Sequence, residues 1–179
     1  MIEIEKKYRL TRERRDEILT SLDEIGARFE SEDLEENTIY GGEALDSTGG
    51  IVRIRKTQDR SLLTFKRRIE NQSDVKRQIE YETEISDADA TDMLIRELGL
   101  QPKLVYEKRR KTWRLRKTEI VLDELPFGLF MEIEGSITAI KEAEMLLGIE
   151  DLETEHETYP RLTAQLGNRV GTVVEARFD

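Results

Sequence analysis

Across the first ten residues Ile2, Ile4, Tyr8 and Leu10 alternate with Glu3, Glu5, Lys7 and Arg9. A period of two predicts a strand with one apolar and one charged face. The alternation returns at 51–57, where Val52 and Ile54 oppose Arg53 and Arg55. After a turn at Gln58, Asp59 and Arg60 it continues at 62–68, with Leu63 and Phe65 opposing Thr64, Lys66 and Arg68. At 76–85 the apolar positions are Ile79, Tyr81 and Ile85, and the opposite parity holds Gln78, Glu80, Glu82 and Glu84. A longer strand, 103–116, alternates less cleanly, but Lys108 and Arg110 share a parity that excludes Val105 and Trp113. Segments 119–123 and 129–134 predict a hairpin across Pro126-Phe127-Gly128. Ile120, Leu122, Met131 and Ile133 form one face of it, and Asp123, Glu132 and Glu134 become neighbours on the other.

Between these strands the period shifts to that of helices. Thr11 caps a helix with Ile18, Leu19, Leu22 and Ile25 on one face, ended by Gly26. Ser86 and Asp89 open a second in capping-box fashion, with Met93, Leu94 and Leu98 as its apolar stripe and Gly99 as its stop. A third spans 136–147 before Gly148, and a short fourth spans 159–166 before Gly167. Residues 30–50, acidic and then glycine-rich, read as loop apart from a short strand at 38–40. The tail after Gly167 carries no assignment.

The charged parity of the strands collects both signs in near-equal number. Two readings follow from patterning alone. One is a solvated sheet face laced with weak cross-strand ion pairs. The other is an α+β fold in which a closed eight-stranded antiparallel β-barrel turns its charged face into a hydrated lumen, with amphipathic helices packed outside. A lumen of this kind must hold counterions or a ligand, because unpaired buried charge is costly. A metal-bound polyphosphate would use both signs at once.

Composition narrows the chemistry. A length of 179 residues fits one domain, 1–179. A formal charge of −10 disfavours nucleic acid and anionic membranes as partners. There is no cysteine and a single histidine, His156, so thiolate chemistry and a multi-histidine metal centre within one chain are excluded. Carboxylates remain as metal ligands. No signal segment or membrane-spanning run is evident, which predicts a cytoplasmic protein. His156 reads as a surface residue and Trp113 as core.

The motifs also carry a resemblance. Glu3-Ile4-Glu5-Lys6-Lys7 is similar to the Glu-x-Glu-x-Lys signature of the CYTH family, the triphosphate tunnel metalloenzymes. Val52-Arg53-Ile54-Arg55, Leu63-Thr64-Phe65-Lys66, Glu80-x-Glu82, Lys108-x-Arg110, Val121-Leu122-Asp123-Glu124 and Glu132-Ile133-Glu134 follow in the family's order, covering Ile2 to about Leu166. The resemblance favours the closed lumen. It implies a tunnel that binds a triphosphate such as tripolyphosphate, ATP or thiamine triphosphate, with Mg²⁺ or Mn²⁺. It implies Glu3, Glu5, Asp123, Glu132 and Glu134 on the metal side, with Glu80 and Glu82 as further metal-side acids. Glu5, Asp123 and Glu132 would be catalytic, and Lys7, Arg53, Arg55, Lys66, Lys108 and Arg110 would bind substrate. Hydrolysis of the terminal phosphate is the expected reaction, with ATP cyclisation or non-catalytic sensing as alternatives, and a homodimer is left open. Thr158-Tyr159-Pro160-Arg161-Leu162 resembles the family's Ser-Tyr-x-x-Leu element, but its threonine and proline argue against a direct substrate contact from Tyr159. Arg9 and Arg68, at strand ends, read as solvent-facing.

Overall fold

The computed structural model describes residues 2–69 and 76–179, leaving Met1 outside. Ten strands occur in chain order: β1 (Ile2–Leu10), β2 (Arg28–Gly41), β3 (Gly50–Lys56), β4 (Ser61–Ile69), β5 (Lys76–Ile85), β6 (Gln101–Leu115), β7 (Thr118–Leu125), β8 (Gly128–Glu134), β9 (Asn168–Val170) and β10 (Val173–Ala176). Five helices accompany them: α1 (Arg12–Glu24), α2 (Glu43–Asp46), α3 (Ala88–Glu97), α4 (Ile137–Leu147) and α5 (Tyr159–Leu166). The sheet runs β2-β3-β4-β5-β1-β8-β7-β6, and pairing of β2 with β6 brings it back to its start. This makes a ring of eight strands in which every pairing is antiparallel. Outside the ring, β10 runs parallel to β6 and pairs with β9.

Alternation decides what faces each way. The apolar parity of β1, β7 and β8 points outward, where Tyr8, Ile120, Met131 and Ile133 pack with Ile18 and Leu22 of α1 and Ile140 and Leu147 of α4. Each such buried side chain contributes about 1.5–3 kcal/mol. Thr11 and Ser136 cap their helices by accepting from Arg14 N and Ala139 N, and Gly148 ends α4 in the left-handed conformation. The charged parity points inward. At the end of the ring where β7 turns into β8, the inward positions become apolar: Ile39, Tyr106 and Phe130 pack with Tyr159 and Leu162 of α5. α5 therefore fills one end of the ring and leaves the charged part beyond it.

Three expectations are corrected. Residues 30–36 are not loop but the first half of the 14-residue β2. This half pairs along the basic run of β6, with Glu32 opposite Lys111, Asp33 opposite Arg110 and Glu35 opposite Lys108. Opposite charges across the ladder supply what apolar alternation does not. Second, α3 is capped by Asp87, whose side chain accepts from Asp89 N and Ala90 N. It buries Ile95 against Tyr40 and Ile54, leaving Met93, Leu94 and Leu98 exposed. Consecutive apolar residues 93–95 spread over most of a turn, so the sequence does not fix the phase of the buried stripe. Third, the unassigned tail forms β9 and β10. Trp113 is buried and His156 exposed, as expected. Among the described residues no helix is long and apolar enough to cross a membrane.

Candidate functional site

The ring encloses a cavity of about 230 Å³, walled by all eight of its strands, β2 through Ile39, and reached by the start of α5. All six expected substrate-binding cations, Lys7, Arg53, Arg55, Lys66, Lys108 and Arg110, line it. So do Glu3, Glu5, Glu80, Glu82, Glu132 and Glu134. Asp123 lies behind this surface with its side chain fully buried. Arg9 and Arg68 are exposed, consistent with leaving them out.

Each cation meets an internal acid. Arg110 is held by Asp123 through two hydrogen bonds of 2.7 and 2.6 Å and reaches Glu132 at 2.7 Å. Lys7 lies 3.2 Å from Glu132, and its ammonium stands 3.5 Å from the ring centre of Tyr159. Tyr159 in turn donates its hydroxyl to Asp123 at 2.7 Å. The five side chains close a circuit from Lys7 through Glu132, Arg110, Asp123 and Tyr159 back to Lys7. Tyr159 thus belongs to the cavity wall. Thr158 caps α5 through Arg161 N and the proline sits at the start of the helix, where its missing N–H is harmless.

The arginines of β3 are held more loosely. Arg53 donates to Thr64 Oγ1 at 3.2 Å and approaches Glu82 at 3.5 Å, while Arg55 approaches Glu35 at 3.5 Å. The buried Nε atoms of both lack a hydrogen-bond acceptor. Lys66 pairs with Glu80 and lies 3.6 Å from Glu3.

Electrostatics follow from this packing. Burial, and then the charge of Arg110, lower the Lys108 ammonium to about 8 against the pull of Asp123 and Glu35. Burial and the neighbouring Arg53 hold Arg55 below its ordinary value. Burial also penalises Lys7, but the charges of Glu132 and Glu5 outweigh it and keep the ammonium above its usual range. At the other end of the cavity acids crowd together. Glu134 stands opposite Glu5 on β1 and opposite Glu119 on β7. Desolvation, then the charges of Glu3, Glu119 and Glu5, push the Glu134 carboxyl up to about 7. Burial and a hydrogen bond with Glu3 raise Glu80 as well.

The CYTH domain model matches residues 1–161. The chain belongs to the CYTH family. This CYTH chain is similar in structure to the PH1819 protein of Pyrococcus horikoshii, with 26% identity over 91% of this chain and 98% of that one and a TM-score of 0.74. It is also similar to a proposed adenylate cyclase of Vibrio parahaemolyticus, at 20% identity, coverage of 92% and 98%, and TM-score 0.71. A third relative is HpAC1 of Hippeastrum, a proposed adenylyl cyclase described as having a dominant triphosphatase activity, at 19% identity, coverage of 91% and 95%, and TM-score 0.71. No curated protein matches the chain.

The CYTH fold implies a divalent cation, and the acid end of the cavity has suitable donors. Its ligands are carboxylate oxygens, suited to Mg²⁺ or Mn²⁺, and Glu134, raised first by desolvation, is raised further by the charges of Glu3, Glu119 and Glu5, which a cation would offset. Glu3, Glu5 and Glu134 are the residues that would hold it. Among the described residues no group of three or more acids is placed so that it could hold a metal ion, so the fit is one of donor chemistry alone. Asp123 has its oxygens committed to Arg110 and Tyr159.

Sequence reasoning missed four inward residues of this CYTH cavity and its surroundings. Glu119 shares a parity with Asp123, and Thr64 with Lys66, so the signal was available for both. Glu35 and Asn37 lie on the half of β2 read mainly as loop, where only the acid run facing a basic run could have revealed them.

Proposed function

We propose that this CYTH chain is a divalent-metal-dependent enzyme that hydrolyses the terminal phosphate of inorganic or organic triphosphates. The supporting observation is the convergence of six cations on one small cavity, among them Arg53, whose buried Nε has no hydrogen-bond acceptor. Such donors match phosphate oxygens arrayed along a chain. Size favours hydrolysis over cyclisation. Pockets for drug-sized ligands run to about 300–1,000 Å³, and a cavity of about 230 Å³ suits a triphosphate chain better than a whole nucleotide with its ribose folded onto the α-phosphate.

In this reading Arg53, Arg55, Lys66, Lys7, Lys108 and Arg110 hold the phosphate oxygens and stabilise the charge spread over them in the transition state. Asp123 and Glu132, each bound to Arg110, orient the cations. Glu5, on the acid wall, takes the proton of the attacking water as the new oxygen–phosphorus bond forms and the bridging bond to the leaving diphosphate breaks. The metal, when bound beside Glu3, Glu5 and Glu134, supplies Lewis-acid charge to the phosphate oxygens.

The test is incubation of purified protein with tripolyphosphate, ATP or thiamine triphosphate, each with Mg²⁺ or Mn²⁺, resolving orthophosphate, pyrophosphate and cyclic AMP. Orthophosphate release supports the hydrolase, and Glu5→Gln should abolish it while leaving tripolyphosphate bound. Cyclic AMP with pyrophosphate would replace the hydrolase by a cyclase, and binding without any product would replace both by a sensor.

A further inference from the structure

Glu35 pairs with two of the clamp cations, Arg55 and Lys108, and does not line the cavity that they line. It is 2% exposed. Lys108 lies 3.2 Å and Arg55 3.5 Å from its Oε2, and Asn37 donates its side-chain amide to the same oxygen at 3.2 Å. Despite its burial, the charges of Lys108, Arg55, Arg110 and Arg53 hold its carboxyl well below the usual carboxylate range. The main cavity is lined by Arg53, Arg55, Lys108 and Arg110 but not by Glu35. A second cavity of about 190 Å³, sharing Arg55, Arg110 and Glu119 with the first, is lined also by Glu35, together with Ser31, Asp33 and Thr57. Glu35 therefore pairs with these cations without lining the cavity proposed for the substrate.

From this geometry we infer that Glu35 is a positioning residue for triphosphate turnover. It fixes the Arg55 guanidinium and the Lys108 ammonium by direct pairing, and its fixed negative charge limits how tightly the cavity retains a polyanion. The inference rests on the triphosphate reading of the same cavity. A buried carboxylate there has two separable effects. Its charge weakens anion binding, because a unit charge several ångströms away in a medium of intermediate dielectric is felt strongly. Its hydrogen-bonding geometry keeps the donors aimed, and a donor displaced by a fraction of an ångström loses transition-state stabilisation before it loses affinity.

The two effects predict a split that a merely structural residue would not produce. Glu35→Gln removes the charge and should tighten metal-free tripolyphosphate binding, measured calorimetrically in EDTA, by about threefold to tenfold. Its kcat for orthophosphate release with Mg²⁺ or Mn²⁺ should fall by about tenfold or more, while KM falls with Kd. Glu35→Asp keeps the charge but withdraws the carboxylate by one methylene. It should bind with the wild-type Kd, within about twofold, and still lose kcat. Unchanged or weaker binding by a folded Glu35→Gln overturns the inference, as does a Glu35→Asp protein with wild-type kcat. Because the Asp arm stands alone, the inference stays falsifiable if the Gln variant fails to fold. Wild-type protein that neither binds nor turns over tripolyphosphate overturns the underlying triphosphate reading instead, and the two failures are therefore distinguishable.

Discussion

Replacing Asp123 by Asn tests whether the cavity is organised by its buried acids. The side chain of Asp123 is fully buried, and its two oxygens accept from Arg110 at 2.7 and 2.6 Å and from Tyr159 at 2.7 Å, with Lys108 3.6 Å away. Asparagine keeps the shape but removes the charge, and it turns an N–H group toward donors that need an acceptor. Arg110 retains Glu132 at 2.7 Å, while Lys108 retains Glu35 at 3.2 Å. Breaking a buried pair from one side costs about 3–5 kcal/mol. In a chain of this size each kcal/mol moves Tm by about 2–4 °C, so the melting temperature should fall by roughly 6–20 °C. Tripolyphosphate should then stabilise the variant more than the wild type, because the ligand supplies the missing negative charge beside Arg110. At a concentration of 100 times Kd the ligand contributes about 2.7 kcal/mol. Thermal unfolding with and without tripolyphosphate, in EDTA, reads both effects. A fall of less than about 3 °C, with no extra response to ligand, would refute the argument that Asp123 is a buried counterion on which the clamp depends.

Lys108, with its ammonium lowered to about 8, must be protonated to serve a polyanion, so tripolyphosphate affinity should weaken above about pH 8, approaching tenfold per pH unit. Calorimetry in two buffers should show proton uptake on binding there, and Lys108→Met should flatten that limb. Glu134, raised to about 7 from an ordinary 4.5, binds its proton more tightly in the native state than in the unfolded one. Its contribution to stability is therefore complete below about pH 4.5 and lost as pH rises through about 7. Urea unfolding of metal-free protein should find Glu134→Gln equal to wild type at the acid end of that window and more stable above it. Outside the ring, Tyr8 and Lys6 both donate to Glu144 Oε1 at 2.5 Å. Tyr8→Phe should cost about 1.5–3 kcal/mol in urea unfolding and leave the tripolyphosphate Kd unchanged.

Parity made much of this molecule legible in its sequence. Where a strand alternates along most of its length, as in β1, β3, β4 and β8, the inward charged residues are named by their neighbours, and Lys7, Arg53, Lys66 and Glu132 line the cavity. What stayed hidden depends on contacts distant in sequence. The acid half of β2 carries no apolar alternation, because its partner is the basic stretch of β6 about 75 positions away. β9 and β10 exist because β10 finds a parallel edge on β6. Tyr159 could not be placed from its own motif, since its position depends on Phe130 and Tyr106, with ring centres 5.4 and 6.3 Å away.

The missed half of β2 changes the chemistry as well as the topology. Without it the ring is open, and Arg55 and Lys108 would face water with little reason to keep one geometry. With it, β2 pairs with both β3 and β6 and brings Glu35 between the arginine of one and the lysine of the other. The closure that creates the cavity thus also delivers the carboxylate that pairs with two of its cations. Binding a triphosphate then becomes an exchange of ion pairs, in which phosphate oxygens compete with internal acids. The clamp cation held loosely and not fixed by Glu35 is Arg53, 3.5 Å from Glu82, and its pair should yield first. The circuit through Arg110, Asp123 and Tyr159 is hydrogen-bonded at 2.7 Å or less and should persist. Arg53 is therefore the mobile grip on the substrate, and the wall built by β6, β7 and α5 is the fixed surface against which it closes.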